Sequence, residues 1–186
     1  VVNDFSVTGI VRALSANGLA HKRMFADIGI MQKLTTRVEN GEIWYYTGAY
    51  SGYFNCIIRS RDFITWDYVA KPDFINLSQW ENAVYVWGDR CYYFVRQVDC
   101  QQGFLTYYDL NTGIWTPPCL ERDVQSRSNF IAYAGELYLI HAPRDRNGFG
   151  ILRVDREQLK NSRPVAVADM QSSCFYPFAR VEEDTV

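Results

Sequence analysis

The chain has 186 residues and a formal net charge of −2, and aromatic residues make up 16% of it. This length suffices for one sizeable hydrophobic core, and the near-neutral charge argues against a nucleic-acid partner, whose binders carry a basic face. No apolar run approaches the roughly 20 residues of a membrane-spanning helix, so we expect no membrane span.

Residues 1–25 contain one strand–turn–strand pattern, in which Ser15, Asn17 and His21 surround a polar turn. The pattern predicts the outer half of a four-stranded sheet. The chain begins with Val1, and its first residues lack the basic start and apolar stretch of a signal peptide. We therefore expect a processed form or a piece of a longer protein.

Three hairpin patterns follow at equal intervals. They read TRVENGEIWYYTG, VYVWGDRCYYFVRQ and IAYAGELYLIHAP, each with an apolar strand, a tight turn and an aromatic-rich strand. Their turn glycines, Gly41, Gly88 and Gly135, are separated by 47 residues and again by 47. A constant interval of this size indicates a repeated structural unit.

A second strand–turn–strand pattern follows each hairpin. NCIIRSRDFITWDYV contains Ser60, Asp62 and Trp66, and FLTYYDLNTGIWTPP contains Asp109 and Asn111 before its tryptophan. The third copy, GFGILRVDREQLKNSRPV, has no tryptophan. We expect the Asp62 carboxylate and the Ser60 hydroxyl to accept backbone N–H groups of their own turn. Because Ser60 has no nearby histidine to activate it, we interpret the turn as structural and not catalytic.

One unit is thus four antiparallel strands in about 47 residues, which is the length of a β-propeller blade. The sequence predicts an all-β fold, a β-propeller built of such blades. A β-sandwich would not explain the exact interval, and the only helical pattern is one polar turn at DREQLKNS. The expected blades cover residues 1–25 (outer half), 26–72, 73–121, 122–168 and 169–186 (inner half).

The half blades at the two ends allow two explanations. The chain could be a segment of a five- or six-bladed propeller whose remaining blades lie in the same protein. Alternatively, the two halves could complete each other and close a four-bladed ring. We favour the segment, because four-bladed rings are uncommon.

The cysteines and histidines give little support for a metal site. The chain has five cysteines without a CxxC motif and only two histidines, so we expect neither a metal nor another cofactor. Cys91 and Cys100 could close a local disulfide, and buried free thiols are equally compatible with the sequence.

The turn from Ser60 to Trp66 resembles a known motif. Ser-x-Asp-[Leu/Phe]-x-x-Trp on a strand–turn–strand, repeated in each blade, resembles the Asp-box of sialidases. It is similar to the corresponding turn of the five-bladed arabinanase, xylosidase and invertase hydrolases. The turn here is one residue shorter than the sialidase form, which has a glycine after the aspartate. The resemblance implies a glycoside hydrolase propeller with a carbohydrate substrate and a secreted or periplasmic location.

Propeller sites lie around the axis, at the end opposite the Asp-box turns. The starts of the innermost strands and the ends of the second strands supply side chains to that end. The candidate catalytic residues at these positions are Asp27, Glu81 and Tyr176. The candidate substrate-binding residues are Trp80, Arg96, Arg127, His141 and Arg144.

Two carboxylates are needed to cleave a glycosidic bond. Glu81 could be the general acid and Asp27 the base or the stabilising carboxylate. Tyr176 takes the place of the nucleophile that the sialidase resemblance implies, although the sequence offers no obvious glutamate to support it.

The arginines need anionic neighbours, because like charges near one axis repel. A carboxylate of an acidic sugar would be bound in bidentate fashion, whereas ion pairs with Glu81, Asp123 or Asp145 would satisfy the arginines without a ligand. Two functions follow: a glycoside hydrolase, or a non-catalytic propeller that binds a glycan or a protein. A separation of Asp27 and Glu81 of roughly 5–9.5 Å across one cavity would favour hydrolysis.

Overall fold

The structure is a computed structural model that describes residues 33–51, 54–72, 79–97, 102–173 and 176–182. Asp27, the candidate base, and the strand–turn–strand pattern of residues 1–25 lie outside these ranges. The described residues form thirteen β-strands and one short 3-10 helix, Leu159–Asn161. Across these ranges there is no helix with the length and apolar character needed to cross a membrane.

The strands form three antiparallel sheets. Sheet 1 contains β1 (Thr35–Glu39), β2 (Glu42–Ser51), β3 (Phe54–Ser60) and β4 (Trp66–Ala70). Sheet 2 contains β5 (Gln79–Trp87), β6 (Arg90–Gln97), β7 (Gln102–Asp109), β8 (Ile114–Trp115) and β9 (Cys119–Glu121). Sheet 3 contains β10 (Gln125–Tyr133), β11 (Glu136–Ala142), β12 (Asn147–Val154) and β13 (Arg163–Ser173).

Apart from β9, neighbouring strands in each sheet are consecutive in the chain, so each sheet is a meander of four strands. In sheet 2 the short strand β8 pairs with one end of β7, and β9 pairs with the other end of the same strand. This four-strand meander is the unit from which propellers are built. The predicted all-β fold of four-stranded antiparallel blades is confirmed.

The first hairpin turn of each sheet depends on backbone with positive φ. In sheet 1, Asn40 (φ 50°) and Gly41 (φ 80°) occupy the turn, and in sheet 3 Ala134 (φ 47°) and Gly135 (φ 77°) do so. Two successive residues with positive φ are typical of the type I′ turn, whose twist matches that of the paired strands. Gly88 has φ 60° in the corresponding turn of sheet 2. The repeated glycines therefore mark the start of the second strand in each blade.

The turn between β3 and β4 is held by side-chain hydrogen bonds. The Asp62 carboxylate accepts the N–H groups of Ile64 (2.8 Å) and Thr65 (2.7 Å). The Ser60 hydroxyl accepts the N–H of Phe63 (2.9 Å) and donates to the carbonyl of Thr65 (2.5 Å). The prediction that these two side chains bind their own turn is confirmed.

The same use of an aspartate recurs in the other two sheets. Asp109 and Asp155 each accept the backbone N–H groups two and three residues later, at 3.0 and 2.8 Å for Asp109 and at 3.0 and 2.9 Å for Asp155. The repeat aligns Asn111 of sheet 2 with Asp62. The residue that accepts the backbone N–H groups in sheet 2 is instead Asp109, two positions earlier. The reason is the strand register, because Asp109 pairs with Ile114 and the turn begins directly after it.

Sheet 2 is covered on both faces. On β6, Tyr92 and Phe94 belong to the core shared with sheet 3, whereas Tyr93 and Val95 belong to the core shared with sheet 1. All four side chains are at most 1% exposed. Because neighbouring residues of a strand point to opposite faces, one aromatic-rich strand supplies both cores. Aromatic side chains of sheets 1 and 3 pack into the same two cores.

A buried polar network joins sheets 1 and 2. The Asn82 amide donates to Asn55 Oδ1 and to the Ala49 carbonyl (3.4 Å), and the Tyr93 hydroxyl also donates to Asn55 Oδ1. A Cβ atom added to Gly48 would lie 1.7 Å from Asn82 Oδ1. Gly48 is therefore required for the close approach of β5 to β2.

Three cysteines fall within the described residues, and all three are free thiols. Cys56 and Cys91 are buried, and burial raises the pKa of both thiols. Of the two possibilities that the sequence left open for Cys91, the structure shows the buried free thiol. Cys100 and Cys174 lie outside the described residues.

Candidate functional site

Side chains from all three sheets converge at the ends of β2 and β6 and at the starts of β5 and β10. We call this set the Glu81 cluster. It comprises Tyr50 of β2, Glu81 of β5, Arg96 of β6, Arg127 of β10 and Tyr176 after β13. Four of its five members were selected from the sequence as candidate site residues.

Glu81 and Arg96 form an ion pair inside this cluster. Arg96 Nη1 donates to Glu81 Oε2 at 2.7 Å, and the two side chains are only 14% and 4% exposed. The pair joins neighbouring strands of one hairpin, which was the alternative to ligand binding that the sequence left open. A buried carboxylate that lacked this guanidinium would be strongly destabilising, so the pair has a structural role whatever else Glu81 does.

Arg127 connects the two tyrosines of the cluster. It lies close enough to the Tyr50 side chain to lower the pKa of that phenol, and its guanidinium carbon lies 4.5 Å from the centroid of the Tyr176 ring. Burial raises the pKa of Tyr50, and the Glu81 carboxylate adds to the increase. The Tyr50 hydroxyl therefore keeps its proton at neutral pH and can donate it in a hydrogen bond. Tyr176 is 48% exposed, so one edge of this cluster is open to solvent.

The segment 176–182 lies between β10 and the residue that precedes β1. The Asn129 side chain of β10 donates to the carbonyl of Pro177 at 2.7 Å. On the other side, the Lys33 ammonium donates to the Ala179 carbonyl at 3.4 Å and lies 5.7 Å from the Phe178 ring centroid. These contacts place Tyr176 beside Arg127, in a backbone conformation with φ 58° that costs a non-glycine residue free energy.

Several buried polar atoms at this end have no hydrogen-bond partner among the described residues. They are Nε of Arg96, Nε of Arg127, both amide atoms of Gln97 and Nε2 of Gln125. Gln97 is fully buried and Gln125 is 2% exposed. A buried polar group without a partner costs about 1–3 kcal/mol, so such a concentration marks a place where water or a ligand supplies the missing bonds.

The remaining candidate residues have different locations. Trp80 lies on β5 beside Glu81, and its side chain is not among the described groups. The separation of Asp27 from Glu81 stays a prediction, because Asp27 is outside the described residues. His141 and Arg144 line a cleft of about 760 Å³ between sheets 2 and 3, which is lined by none of the five residues of the Glu81 cluster.

Two residues with unusual environments were not selected from the sequence. Gln125 precedes Arg127 by two positions, and the period of an extended strand could have placed both on one face. Glu121 lines the cleft that contains His141, and burial together with the Asp123 carboxylate raises its pKa to about 7. No sequence signal could have found Glu121, because its burial results from contact between two sheets.

The described residues show no metal centre. In the described ranges, no group of three or more His, Cys, Asp and Glu side chains is arranged to hold a metal ion.

Comparison with known proteins shows what this fold is similar to. No protein-family model matches the sequence, and no curated protein matches it significantly. Among solved structures, a family 117 glycoside hydrolase from Zobellia galactanivorans superposes with a TM-score of 0.52 at 14% identity. An exo-beta-1,3-galactanase from Clostridium thermocellum gives 0.52, and a xylan beta-1,4-xylosidase from Bacillus halodurans C-125 gives 0.50, both also at 14% identity.

These superpositions cover 78%, 72% and 70% of this chain, but only 57%, 36% and 30% of the three solved chains. The chain thus spans about half the length of the first of these structures and about a third of the other two. At this identity the likeness establishes the fold alone. The protein has the β-propeller fold that these glycoside hydrolases share.

Proposed function

We propose that this protein acts on a carbohydrate as a glycoside hydrolase-like propeller, and that the sugar binds at the Glu81 cluster. One observation carries the proposal. A buried carboxylate, two guanidiniums and two tyrosines from three sheets and the segment 176–182 converge at one place, where several buried donors lack partners. The fold shared with glycoside hydrolases supports this assignment.

The chemistry of the cluster suits a sugar. Sugar hydroxyls accept hydrogen bonds from the Nε atoms of Arg96 and Arg127, and they donate to the carboxylate of Glu81. The half-exposed ring of Tyr176 offers a flat apolar surface to the C–H face of a pyranose. These groups together provide donors, acceptors and an apolar contact within one cluster.

An acidic sugar is the substrate class that Arg127 favours. Within the described residues Arg127 forms no ion pair, whereas the charge of Arg96 is balanced by Glu81. A guanidinium of this kind binds a carboxylate in bidentate fashion. We therefore propose that Arg127 binds the carboxylate of an acidic sugar.

For hydrolysis we propose Glu81 as the general acid and Asp27 as the second carboxylate. Glycosidases need two such groups at a separation of roughly 5–9.5 Å. Tyr176 is the alternative nucleophile, in agreement with the resemblance of the Ser60–Trp66 turn to the Asp-box of sialidases. Trp80, beside Glu81 on β5, is proposed to contact the same sugar.

A non-catalytic, glycan-binding propeller is the second candidate, and one observation favours it. The Glu81 carboxylate is already bound by Arg96 at 2.7 Å, so its proton transfer to a glycosidic oxygen would require that this ion pair open. In this case the same residues would bind the sugar without cleaving it.

The test is a screen of acidic and neutral aryl-glycosides with the parent chain, Glu81→Gln and the control Glu136→Gln, which changes a half-buried hairpin carboxylate outside the Glu81 cluster. We expect the acidic substrates to be cleaved, and cleavage to fall by about 10²–10⁴-fold in Glu81→Gln because the proton donor is lost. The control should keep parental turnover.

Calorimetric titration with the same sugars separates the two candidates. Binding without turnover in the parent chain would support the non-catalytic propeller. Equal turnover by Glu81→Gln and the parent would remove Glu81 from the mechanism. If neither binding nor cleavage of any sugar were detected with the folded chain, the proposed function would be wrong.

A further inference from the structure

The cleft between sheets 2 and 3 has features of a second binding site. Its volume of about 760 Å³ is within the range of small-molecule sites. The end of β9 supplies Glu121 to it, the loop before β10 supplies Asp123, and the end of β11 supplies His141. Val124 and Leu152 line it with apolar surface.

His141 lines this cleft, and its ring carries one hydrogen-bond acceptor. Its Nδ1 lies 3.0 Å from the Ala142 carbonyl oxygen, which can only accept, so Nδ1 carries the hydrogen and Nε2 carries a lone pair. The side chain is 4% exposed, and burial lowers its pKa, so the ring is neutral at pH 7. Nε2 makes no hydrogen bond to any residue of the described part of the chain.

Glu121 and Asp123 add two carboxylates beside this imidazole. The Asp123 carboxylate raises the pKa of Glu121, and it also raises the pKa of His141 against the effect of burial. The three groups are therefore close enough to influence one another. The arginines of the cleft, Arg122 and Arg144, are exposed at its rim, and neither contributes to the pKa of Glu121. Asp123 is exposed as well, whereas Glu121 is half-buried and His141 is buried. The cleft thus offers three acceptors, and neither carboxylate forms an ion pair with another residue of the described ranges.

We propose that this cleft binds a small organic amine, with the ammonium group between Glu121 and Asp123 and the carbon body against Val124 and Leu152. An ammonium group supplies three donors and one positive charge, which match the three acceptors and offset the repulsion between the carboxylates. A metal ion does not fit, because these side chains are not arranged as a metal centre. This site is independent of the function proposed for the Glu81 cluster.

The proposal implies binding that depends on pH. The amine needs the ionised form of Glu121, and its pKa of about 7 makes the ionised fraction about tenfold larger at pH 8 than at pH 6. The other charged or titratable groups around Glu121 are Cys119, Arg122, Asp123, His141, Arg144, Asp145 and Lys160. Burial lowers the pKa of His141, so the ring gains a proton less readily than an exposed imidazole as the pH falls.

The test is an NMR titration of the full chain with two matched small molecules, cyclohexylamine and cyclohexanol. Both molecules contain a cyclohexane ring. Only the amine is cationic between pH 6 and 8, because alkylamine pKa values lie near that of lysine. We expect cyclohexylamine to shift the backbone amide signals of Val124, His141 and Gly150. Its apparent affinity should rise about tenfold from pH 6 to pH 8.

Two variants and one control complete the experiment. Glu121→Gln should bind the amine no better at pH 8 than at pH 6, and Asp123→Asn should bind it more weakly at both values. Glu81→Gln should bind it like the parent chain, so loss of sugar binding at the Glu81 cluster would leave this result unchanged. The amide spectrum away from the cleft verifies that each variant is folded.

Two results would overturn the proposal. One is equal binding of cyclohexanol and cyclohexylamine, which would mean that the cleft recognises only the ring or a hydroxyl group. The other is the absence of amide shifts at the cleft when the amine is present at millimolar concentration at pH 8.

Discussion

Burial changes what three individual side chains can do. It raises the pKa of Tyr50 and Glu121 and lowers that of His141, in each case because the charged form loses its hydration. As a result, each of these side chains keeps its neutral form over a wider pH range than an exposed residue of the same type. The close contact of the His141 ring with Gly150, where an added Cβ would lie 2.4 Å from Cε1, shows how little space surrounds that ring.

The raised pKa of Glu121 predicts that stability depends on pH. The pKa is about 7 in the folded chain and near the ordinary 4.5 in the unfolded chain. Between these values only the folded state holds the proton, so stability falls as the pH rises through this window. Glu121→Gln removes this loss. Because the carboxyl group is partly exposed and screened, we expect the variant to gain about 1 kcal/mol relative to the parent between pH 5 and pH 8.

Urea unfolding at pH 5 and at pH 8 measures this effect. Glu136→Gln is the control, because Arg153 lowers the pKa of Glu136 and the substitution cannot produce a gain of the same sign. Identical pH profiles of the parent and Glu121→Gln would show that Glu121 titrates normally in the folded chain.

Among the structural elements, the turn between the third and fourth strands is the most regular. All three sheets use an aspartate that accepts two backbone N–H groups, and sheet 1 adds the fully buried Ser60 hydroxyl. In such a turn, side-chain oxygens accept the backbone N–H groups that have no backbone partner in a tight connection. It lies at a strand end and sets the register in which β4 returns along β3.

We expect that removal of the Ser60 hydroxyl lowers the stability of the folded chain. Ser60→Ala leaves the Phe63 N–H and the Thr65 carbonyl without their partner, so we expect a cost of about 1–3 kcal/mol in urea unfolding. Arg61→Ala is the matched control in the same turn. Within the described ranges Arg61 forms one ion pair, with Glu42, which is exposed, and it lies over the Trp44 ring. Its removal should therefore change the stability by less than about 1 kcal/mol. If the two variants lost equal amounts of stability, the Ser60 hydroxyl would not be what holds this turn.

At the scale of the whole molecule, the sheets are joined by polar contacts as well as by apolar cores. Asn82 connects sheet 2 to sheet 1. At the other interface, Arg90 and Tyr92 of sheet 2 both donate to the carbonyl of Arg156 in the turn between β12 and β13, at 2.6 and 3.2 Å. Asn129 connects sheet 3 to the segment 176–182. Buried polar contacts of this kind restrict how neighbouring sheets can slide.

Because Asn82 joins sheets 1 and 2, we expect a single substitution at this residue to weaken the contact between the two sheets and to lower the stability. Asn82→Ala removes the amide that binds Asn55 and the Ala49 carbonyl, and it leaves a cavity against Gly48. We expect a loss of about 2–4 kcal/mol. Urea unfolding measures it, and Asn111→Ala, in an exposed turn, is the control with an expected change within about 0.5 kcal/mol. A comparable loss in the control, or none in Asn82→Ala, would contradict the bridging role.

Much of the fold follows from local pattern. The turn glycines Gly41, Gly88 and Gly135 recur because each first hairpin needs positive φ, and Asp62 recurs as Asp109 and Asp155 because each outer turn needs acceptors. These requirements act over a few residues, so the same residue types recur at regular intervals in the sequence. That recurrence was sufficient to predict four-stranded blades.

The candidate site was predictable only in part. Glu81, Arg96, Arg127 and Tyr176 were selected because they lie at starts and ends of strands, and the structure brings them into one cluster. Their roles in a binding site stay a prediction. The partner of Arg96, the separate cleft of His141 and the pKa of Glu121 were not predictable. They depend on which face of a sheet each residue occupies after neighbouring sheets have packed.

The sequence by itself determined the repeat, the strand order within each sheet and the end of the sheets at which polar side chains gather. Hydrogen bonding and side-chain alternation along a strand are local, so a one-dimensional pattern encodes them. Only the tertiary structure decided which of those polar groups meet, which remain unpaired and which change their pKa. Desolvation and electrostatic attraction depend on distances between residues far apart in the chain, and packing of the sheets alone sets those distances.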